Sequence, residues 1–126
     1  MIKCMEHVAI ASREPKKLAE WYIRHLNFSF LKEIGPTVYI DDAKGAVVEF
    51  VPAETIPPPP TIRDLGLRHI AFEVDDFEGT HRELANAGVE FMSEPIIMTG
   101  MRLYFFRDPE GNFLHLVKRD EPQRET

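Results

Sequence analysis

A short strand pattern with one histidine occurs twice in this chain, and this repeat constrains its fold more than any other feature. Glu6-His7-Val8-Ala9-Ile10 near the N-terminus is restated as Arg68-His69-Ile70-Ala71-Phe72 after a proline-rich segment. In each half, one helical pattern and three further strand patterns follow the histidine strand. One helix can cover only one face of a four-stranded sheet, so the uncovered faces of two copies are expected to meet. The sequence therefore predicts an α+β fold made of two βαβββ modules.

The two predicted helices end at corresponding places. Apolar residues recur at helical spacing from Pro15 to Leu26, and Asn27 is suited to the left-handed position that ends a helix. The second helix begins at Asp75-Asp76-Phe77-Glu78, a capping-box pattern of Asp with Glu three residues on, and ends at Gly88, the residue that most often fills this position. His81 has polar neighbours on that helix and is expected to be solvated. The strands predicted after the second helix cover 89–92, 101–106 and 112–118.

Four consecutive prolines, Pro57–Pro60, separate the two halves. Proline donates no backbone hydrogen bond and favours a stiff extended conformation, which is typical of a linker. We therefore predict a single domain built from modules at about 1–52 and 63–120. The linker would cover 53–62, and a polar tail would cover 121–126.

Composition and charge narrow the class of partner. The net charge of −6 without a basic cluster argues against binding to nucleic acid or to anionic membranes. No apolar run approaches the roughly 20 residues of a membrane span, and the first residues lack the pattern of a signal peptide. The single Cys4 excludes an intramolecular disulfide framework and agrees with a reducing compartment. The sequence thus predicts a cytoplasmic protein whose partner is a small molecule.

Strand alternation places four possible metal ligands on one face of four strands. Three imidazoles and one carboxylate suit Zn, Ni, Co, Mn or Fe better than Mg or Ca, which prefer oxygen ligands. Glu49 interrupts the apolar run from Ala46 to Val51, where an unpartnered carboxylate would be costly to bury. The alternative is a vestigial site whose side chains satisfy one another by hydrogen bonds. The predicted ligands of one divalent transition metal ion are His7, Glu49, His69 and His115.

The chain resembles the vicinal oxygen chelate superfamily, which includes glyoxalase I, bleomycin-resistance proteins and extradiol dioxygenases. The resemblance is carried by the paired histidine strands, by Leu26-Asn27-Phe28 where the family usually has Leu-Gly-Phe, and by the run from Tyr104 to Leu116. It covers almost the whole chain. It implies two modules whose curved sheets form an open cup, and one metal ion held by the first and fourth strands of each module. It also implies a homodimer.

His115 departs from the family pattern, because the family usually has glutamate there. Three neutral histidines and one glutamate leave a divalent site with net positive charge, whereas a second glutamate would neutralise it. Glu49 then remains as the metal-site carboxylate able to act as a catalytic base. The resemblance implies lyase or isomerase chemistry in which two neighbouring substrate oxygens are chelated and an enolate-like intermediate is stabilised. An Fe(II)-dependent extradiol-type dioxygenase and a non-catalytic drug- or metabolite-binding protein are the alternatives.

The substrate side of the predicted site is apolar. Alternation alone leaves open which face of the strand at 101–106 joins the ligands. The hairpin register of the family implies that Leu103 and Phe105 do. Together with Val47 and Phe113 they would form a mostly apolar wall beside a charged metal ion, a composition typical of small-molecule sites.

Overall fold

The structure is a computed structural model that describes residues 1–121; the end of the predicted polar tail, 122–126, lies outside the described residues. The chain divides into two compact units, Met1–Pro58 and Pro59–Thr126. Each unit has the order strand, helix and three strands, so the predicted α+β fold of two βαβββ modules is confirmed. The elements are β1 (Val8–Ser12), α1 (Pro15–His25), β2 (Ser29–Ile34), β3 (Thr37–Asp41), β4 (Val47–Pro52), β5 (His69–Glu73), α2 (Phe77–Asn86), β6 (Ile96–Met98), β7 (Met101–Arg107) and β8 (Phe113–Arg119).

In the first unit, one helix covers one face of a four-stranded sheet. The strand order is β1-β4-β3-β2, with β1 parallel to β4 and the other neighbours antiparallel. Tyr22 of α1 is fully buried, and its ring lies 5.2 Å from that of Phe50 in β4. Buried and half-buried residues alternate along β3 and β4. This alternation turns Ile40 and Phe50 towards the helix and Tyr39 and Glu49 away from it.

The second unit repeats this arrangement with the order β5-β8-β7-β6. Its aromatic core lies between α2 and β7, where Phe77 stacks on Tyr104 at 5.2 Å. His81 also stacks on Tyr104, with ring centroids 4.0 Å apart. His81 is therefore half-buried and less solvated than expected, because its imidazole packs in an aromatic cluster that also includes Phe91.

The strand predicted at 89–92 is not a regular strand in the structure. Phe91 forms an isolated bridge with Phe106, and the chain bends at Ser93 and Glu94 before β6 begins at Ile96. Pro95 has no backbone N–H to continue the ladder, so the segment beside β7 is split into two parts.

Both predicted helix ends are confirmed. Asn27 follows α1 with a φ of 62°, and Gly88 follows α2 with a φ of 91°. These left-handed conformations end each helix and direct the chain back towards its sheet. No helix within residues 1–121 has the length and apolar character needed to cross a membrane.

The hairpin turns that precede the fourth strand of each module share one hydrogen-bond pattern. Oδ1 of Asp42 accepts the backbone N–H groups of Lys44 and Ala46, at 2.8 and 3.0 Å. Oδ1 of Asp108 accepts those of Glu110 and Asn112, at 2.9 and 3.0 Å. Each turn also has a glycine with positive φ, Gly45 at 103° and Gly111 at 90°. Turns of one geometry give both hairpins the same register.

Candidate functional site

The strand registers place the predicted ligands at equivalent positions of the two units. In the first unit, Glu49 of β4 is paired with Ala9 of β1, and His7 precedes Ala9 by two residues. In the second unit, His115 of β8 is paired with Ala71 of β5, and His69 precedes Ala71 by two residues. Residues two apart on a strand share a face. His69 is the first residue of β5, whereas His7 lies just before the start of β1. The repeat in the sequence therefore places each histidine at the beginning of the first strand of its module.

In the first unit, the side chains of His7 and Glu49 point at one another. Nε2 of His7 lies 3.7 Å from Oε1 of Glu49, and Nδ1 of His7 lies 2.8 Å from a carboxylate oxygen of Glu6. The carboxylate of Glu6 accepts a hydrogen bond, so Nδ1 of a neutral His7 carries the proton and Nε2 presents a lone pair. Two acceptors then face each other, and only a proton or a cation between them makes the contact favourable.

Tyr39 is the further polar partner of Glu49. It lies directly opposite Glu49 in the antiparallel pairing of β3 with β4, and its hydroxyl donates to Oε2 of Glu49. This hydrogen bond, followed by partial desolvation, raises the pKa of the Tyr39 phenol, so the hydroxyl keeps its proton and remains the donor. The Glu49 side chain is only 16% exposed, and the Tyr39 hydroxyl offsets part of its loss of water.

In the second unit, His69 and His115 are neighbours on an apolar surface. Their ring centroids lie 4.6 Å apart, and the ring of Phe105 contacts both, at 5.6 Å from His69 and 4.8 Å from His115. His115 is 6% exposed, since both faces of β8 are buried along most of the strand. His69 itself is exposed. The second pair thus borders aromatic side chains with only His115 buried, whereas the first lies in a polar network.

The surroundings of His115 suit a metal ligand. Its Nδ1 lies 3.2 Å from the backbone carbonyl of Leu116, so Nδ1 carries the proton and Nε2 is left with a lone pair. Burial, followed by the nearby His69, lowers the pKa of His115 and keeps the imidazole neutral. Metal ions bind neutral imidazole, and an outer hydrogen bond from the second ring nitrogen is the usual support of such a ligand. The residues present in each pair therefore fit a divalent transition metal ion.

The structure brings the predicted ligands together as two pairs, one in each unit. Among residues 1–121, no group of three or more His, Cys, Asp or Glu side chains is arranged to hold a metal ion. The set of four ligands remains a prediction from the sequence. The pairs themselves follow from the registers of β1 with β4 and of β5 with β8.

The predicted substrate-binding residues lie on the same sheet faces as the ligand pairs. Val47 precedes Glu49 by two residues on β4, and Phe113 precedes His115 by two residues on β8. The pairing of β7 with β8 decides the parity left open by the sequence, because Phe105 lies opposite His115 and Leu103 opposite Val117. Their contact with a substrate stays a prediction.

Sequence reasoning missed Tyr39. Its signal was present, since the turn from Asp41 to Gly45 joins the strands of Tyr39 and Glu49 and a paired register would have placed them opposite one another. The hairpin register that this turn sets is visible only in the structure.

Comparisons with known proteins agree with this fold. A curated relative, the uncharacterized protein YwkD of Bacillus subtilis (strain 168), is 30% identical and the match covers 94% of this chain and 99% of the relative. The crystal structure of the glyoxalase family protein from Enterococcus faecalis is 26% identical with a TM-score of 0.70, covering 91% of this chain and 97% of that chain. The oxidase ChaP-H2 has a TM-score of 0.74 at 22% identity, covering 94% and 95%, and so shares the fold.

A protein-family model shows which superfamily the chain belongs to. The model described as Glyoxalase/Bleomycin resistance protein/Dioxygenase superfamily matches residues 5–116 and thus includes both modules and all four predicted ligands. The resemblance drawn from the histidine strands and from the run at Tyr104–Leu116 is confirmed. This chain belongs to the Glyoxalase/Bleomycin resistance protein/Dioxygenase superfamily.

Proposed function

We propose that the protein is a metal-dependent enzyme of the glyoxalase-like group that acts on two neighbouring oxygens of a small molecule. One divalent transition metal ion would be held by four ligands, two from each module. The observation that carries the proposal is a pair repeated in each module, with one residue on the fourth strand and one histidine at or just before the start of the first strand. Glu49 accepts a hydrogen bond from Tyr39, and Nδ1 of His115 contacts the carbonyl of Leu116. The proposed ligands are His7, Glu49, His69 and His115.

The proposed chemistry divides between the ion and Glu49. A bound divalent ion supplies Lewis acidity, which makes a proton on carbon next to a chelated oxygen easier to remove. Glu49 is the carboxylate of the set and is the group proposed to accept that proton. His115 stands where the family usually has a second glutamate, so a mechanism that needs two metal-site carboxylates is disfavoured. A reaction with one base fits this set of groups: in a lyase Glu49 would remove the proton, and in an isomerase it would also return a proton to the neighbouring carbon.

The proposed substrate is small and partly apolar. Phe105 and Phe113 lie beside the histidines of the second unit, and Leu103 continues the same face. An apolar wall next to a site of net positive charge favours an anionic pair of oxygens attached to a compact carbon skeleton. Val47 would extend this wall on the first module.

The first test is metal analysis followed by a substrate panel. Protein purified without a tag or added metal should contain about one divalent transition ion per chain. The loaded protein is then assayed with the methylglyoxal–glutathione adduct, with methylmalonyl-type thioesters and, under anaerobic Fe(II) loading, with catechols. Turnover of either of the first two supports the proposal. Ring cleavage of a catechol would instead make the protein an extradiol-type dioxygenase.

Failure to bind Zn, Ni, Co, Mn or Fe(II) at any concentration tested would contradict a metal enzyme. In that case, tight binding of a small aromatic or drug-like compound by the metal-free protein would identify the non-catalytic alternative.

We also propose a homodimer that resides in the cytoplasm. The edge strands β2 and β6 support the dimer, since each has one unpaired side and large exposed apolar residues, such as Phe30 at 56% and Ile97 at 67%. Sedimentation velocity of the purified chain measures its mass directly. A monomer at micromolar concentration would contradict the dimer.

A further inference from the structure

Tyr39 and Phe105 occupy equivalent positions in the two modules. Tyr39 lies on the third strand of its module directly opposite Glu49, and Phe105 lies on the third strand of its module directly opposite His115. Both are aromatic, and they differ by one hydroxyl group. The comparison between modules therefore isolates what this hydroxyl does.

The aromatic residue matches the chemistry of the ligand it faces. A carboxylate has lone pairs that need donors, and Tyr39 supplies an O–H to Oε2 of Glu49. The imidazole of His115 has its N–H satisfied by the carbonyl of Leu116, so Phe105 contributes only ring contact, at 4.8 Å. A hydroxyl is present where the neighbouring ligand can use one and absent where it cannot.

The Tyr39 ring is itself held in place. Lys32 lies opposite Tyr39 in the pairing of β2 with β3, and its Nζ lies 4.8 Å from the centre of the Tyr39 ring. The His7 ring meets the Tyr39 ring edge to face, with centroids 6.0 Å apart. These contacts leave the phenol little freedom to turn away from Glu49.

We propose that Tyr39 is a positioning residue that fixes Glu49 through Oε2 and thereby presents Oε1, the oxygen that faces His7, to the metal ion. This inference rests on the proposed function, since it concerns how Glu49 acts as a ligand. The hydroxyl occupies one carboxylate oxygen and leaves the other free, so Glu49 is directed to bind through one oxygen. A carboxylate already held in one rotamer loses less freedom when the ion binds.

The test removes the hydroxyl and follows Glu49 with and without metal. In metal-free protein labelled with ¹³C at glutamate side chains, the Glu49 carboxyl resonance is assigned by its loss in Glu49→Gln. Tyr39→Phe is expected to move this resonance, because its hydrogen bond is gone. Tyr104→Phe is the matched control, since it deletes the same atom from a residue that packs against α2. It is expected to leave the resonance in place.

Metal affinity is measured on the same variants by competition with a chromophoric chelator for Zn and Co(II). Loss of an outer-shell partner typically weakens metal binding by about 10- to 100-fold, and Tyr39→Phe is expected to fall in this range while Tyr104→Phe stays within about twofold of wild type. The role of Tyr39 is overturned if Tyr39→Phe leaves the Glu49 resonance unchanged. It is also overturned if wild type binds metal and Tyr39→Phe binds it with the same affinity. If Tyr39→Phe moves the Glu49 resonance but the wild-type protein binds no metal, the result supports the fixing of Glu49 by Tyr39 and overturns the proposed function instead.

Discussion

His115 is buried within its own unit, and its burial makes the stability of the metal-free protein depend on pH. Burial lowers the pKa of His115 below its ordinary value of 6.5, so the unfolded chain binds a proton more readily than the folded protein does. The stabilisation from neutral, buried His115 is present above pH 6.5 and is lost as pH falls through the lowered pKa of the folded state.

The prediction is that His115→Gln makes the metal-free protein less sensitive to acid. Between about pH 7.5 and about pH 5, the free energy of unfolding should fall less in the variant than in wild type, because one group that must be protonated on unfolding is gone. Urea unfolding in the presence of a chelator measures both values. His25, whose pKa is also lowered by burial and by Arg24, remains in both proteins and cancels in the comparison. Equal decreases would show that His115 does not contribute.

Residue types alone led to the prediction of four metal ligands but not to Tyr39, which donates a hydrogen bond to one of them. His7, Glu49, His69 and His115 stand out because each is a polar residue within an apolar strand pattern. Tyr39 does not stand out, since tyrosine is common in strands and its role comes from a cross-strand partner ten positions later. The hydroxyl acquires its meaning only when the register of β3 with β4 is known.

At the scale of elements, the run from Tyr104 to Leu116 that carries the family resemblance contains a hydrogen-bonded turn at Asp108. The Asp108 carboxylate is 4% exposed and accepts two backbone N–H groups as well as the side-chain amide of Asn112, at 2.8 Å. These bonds fix the register that sets Phe105 opposite His115. The run thus includes a turn that sets the register of β7 with β8.

Replacing this turn residue should cost more than replacing its counterpart in the first module. Asp108→Ala removes buried, charge-assisted hydrogen bonds and is expected to lower the free energy of unfolding by roughly 2–3 kcal/mol. Asp42→Ala is the matched control, because Asp42 makes the corresponding backbone bonds at a more exposed turn. Its loss should be smaller. Chemical denaturation of the metal-free variants gives both values, and equal losses would contradict the effect of burial.

Predictions from local sequence were correct where a single residue sets the backbone conformation, and were wrong where neighbouring or distant residues also determine the structure. Asn27 and Gly88 end their helices as predicted, since each occupies the left-handed conformation that these residue types favour. The strand predicted at 89–92 was wrong because Pro95 and the bend at Ser93 divide the segment beside β7. His81 was misjudged because its aromatic partner, Tyr104, comes from a strand far along the chain.

At the scale of the whole molecule, the repeat made the fold predictable from sequence. Two copies of one order of elements indicate the α+β class, and the structure confirms the order. The predicted ligands lie on β4, β5 and β8 and, for His7, just before β1. What the repeat does not determine is reactivity. The two modules differ around the predicted ligands, because the first has Tyr39 opposite Glu49 and the second has Phe105 opposite His115.

The last prediction concerns the proposal that one ion is shared by both modules. If so, His7→Ala in the first module and His69→Ala in the second should each abolish tight binding, although each leaves the other pair intact. Metal-dependent stabilisation gives the readout, since a ligand at about 100 times its dissociation constant raises the free energy of unfolding by about 2.7 kcal/mol. Wild type should show this increase with one ion per chain, and both variants should lose it.

The double variant distinguishes one shared ion from a separate ion in each module. With one shared ion, combining His7→Ala and His69→Ala adds nothing to either single change, because the site is already lost. With a separate ion in each module, wild type would bind two ions per chain, each single variant would keep one, and only the double variant would bind none. Calorimetric titration with Zn distinguishes the two patterns by stoichiometry. Two ions per chain in wild type would therefore contradict the shared site and leave each pair as a site of its own.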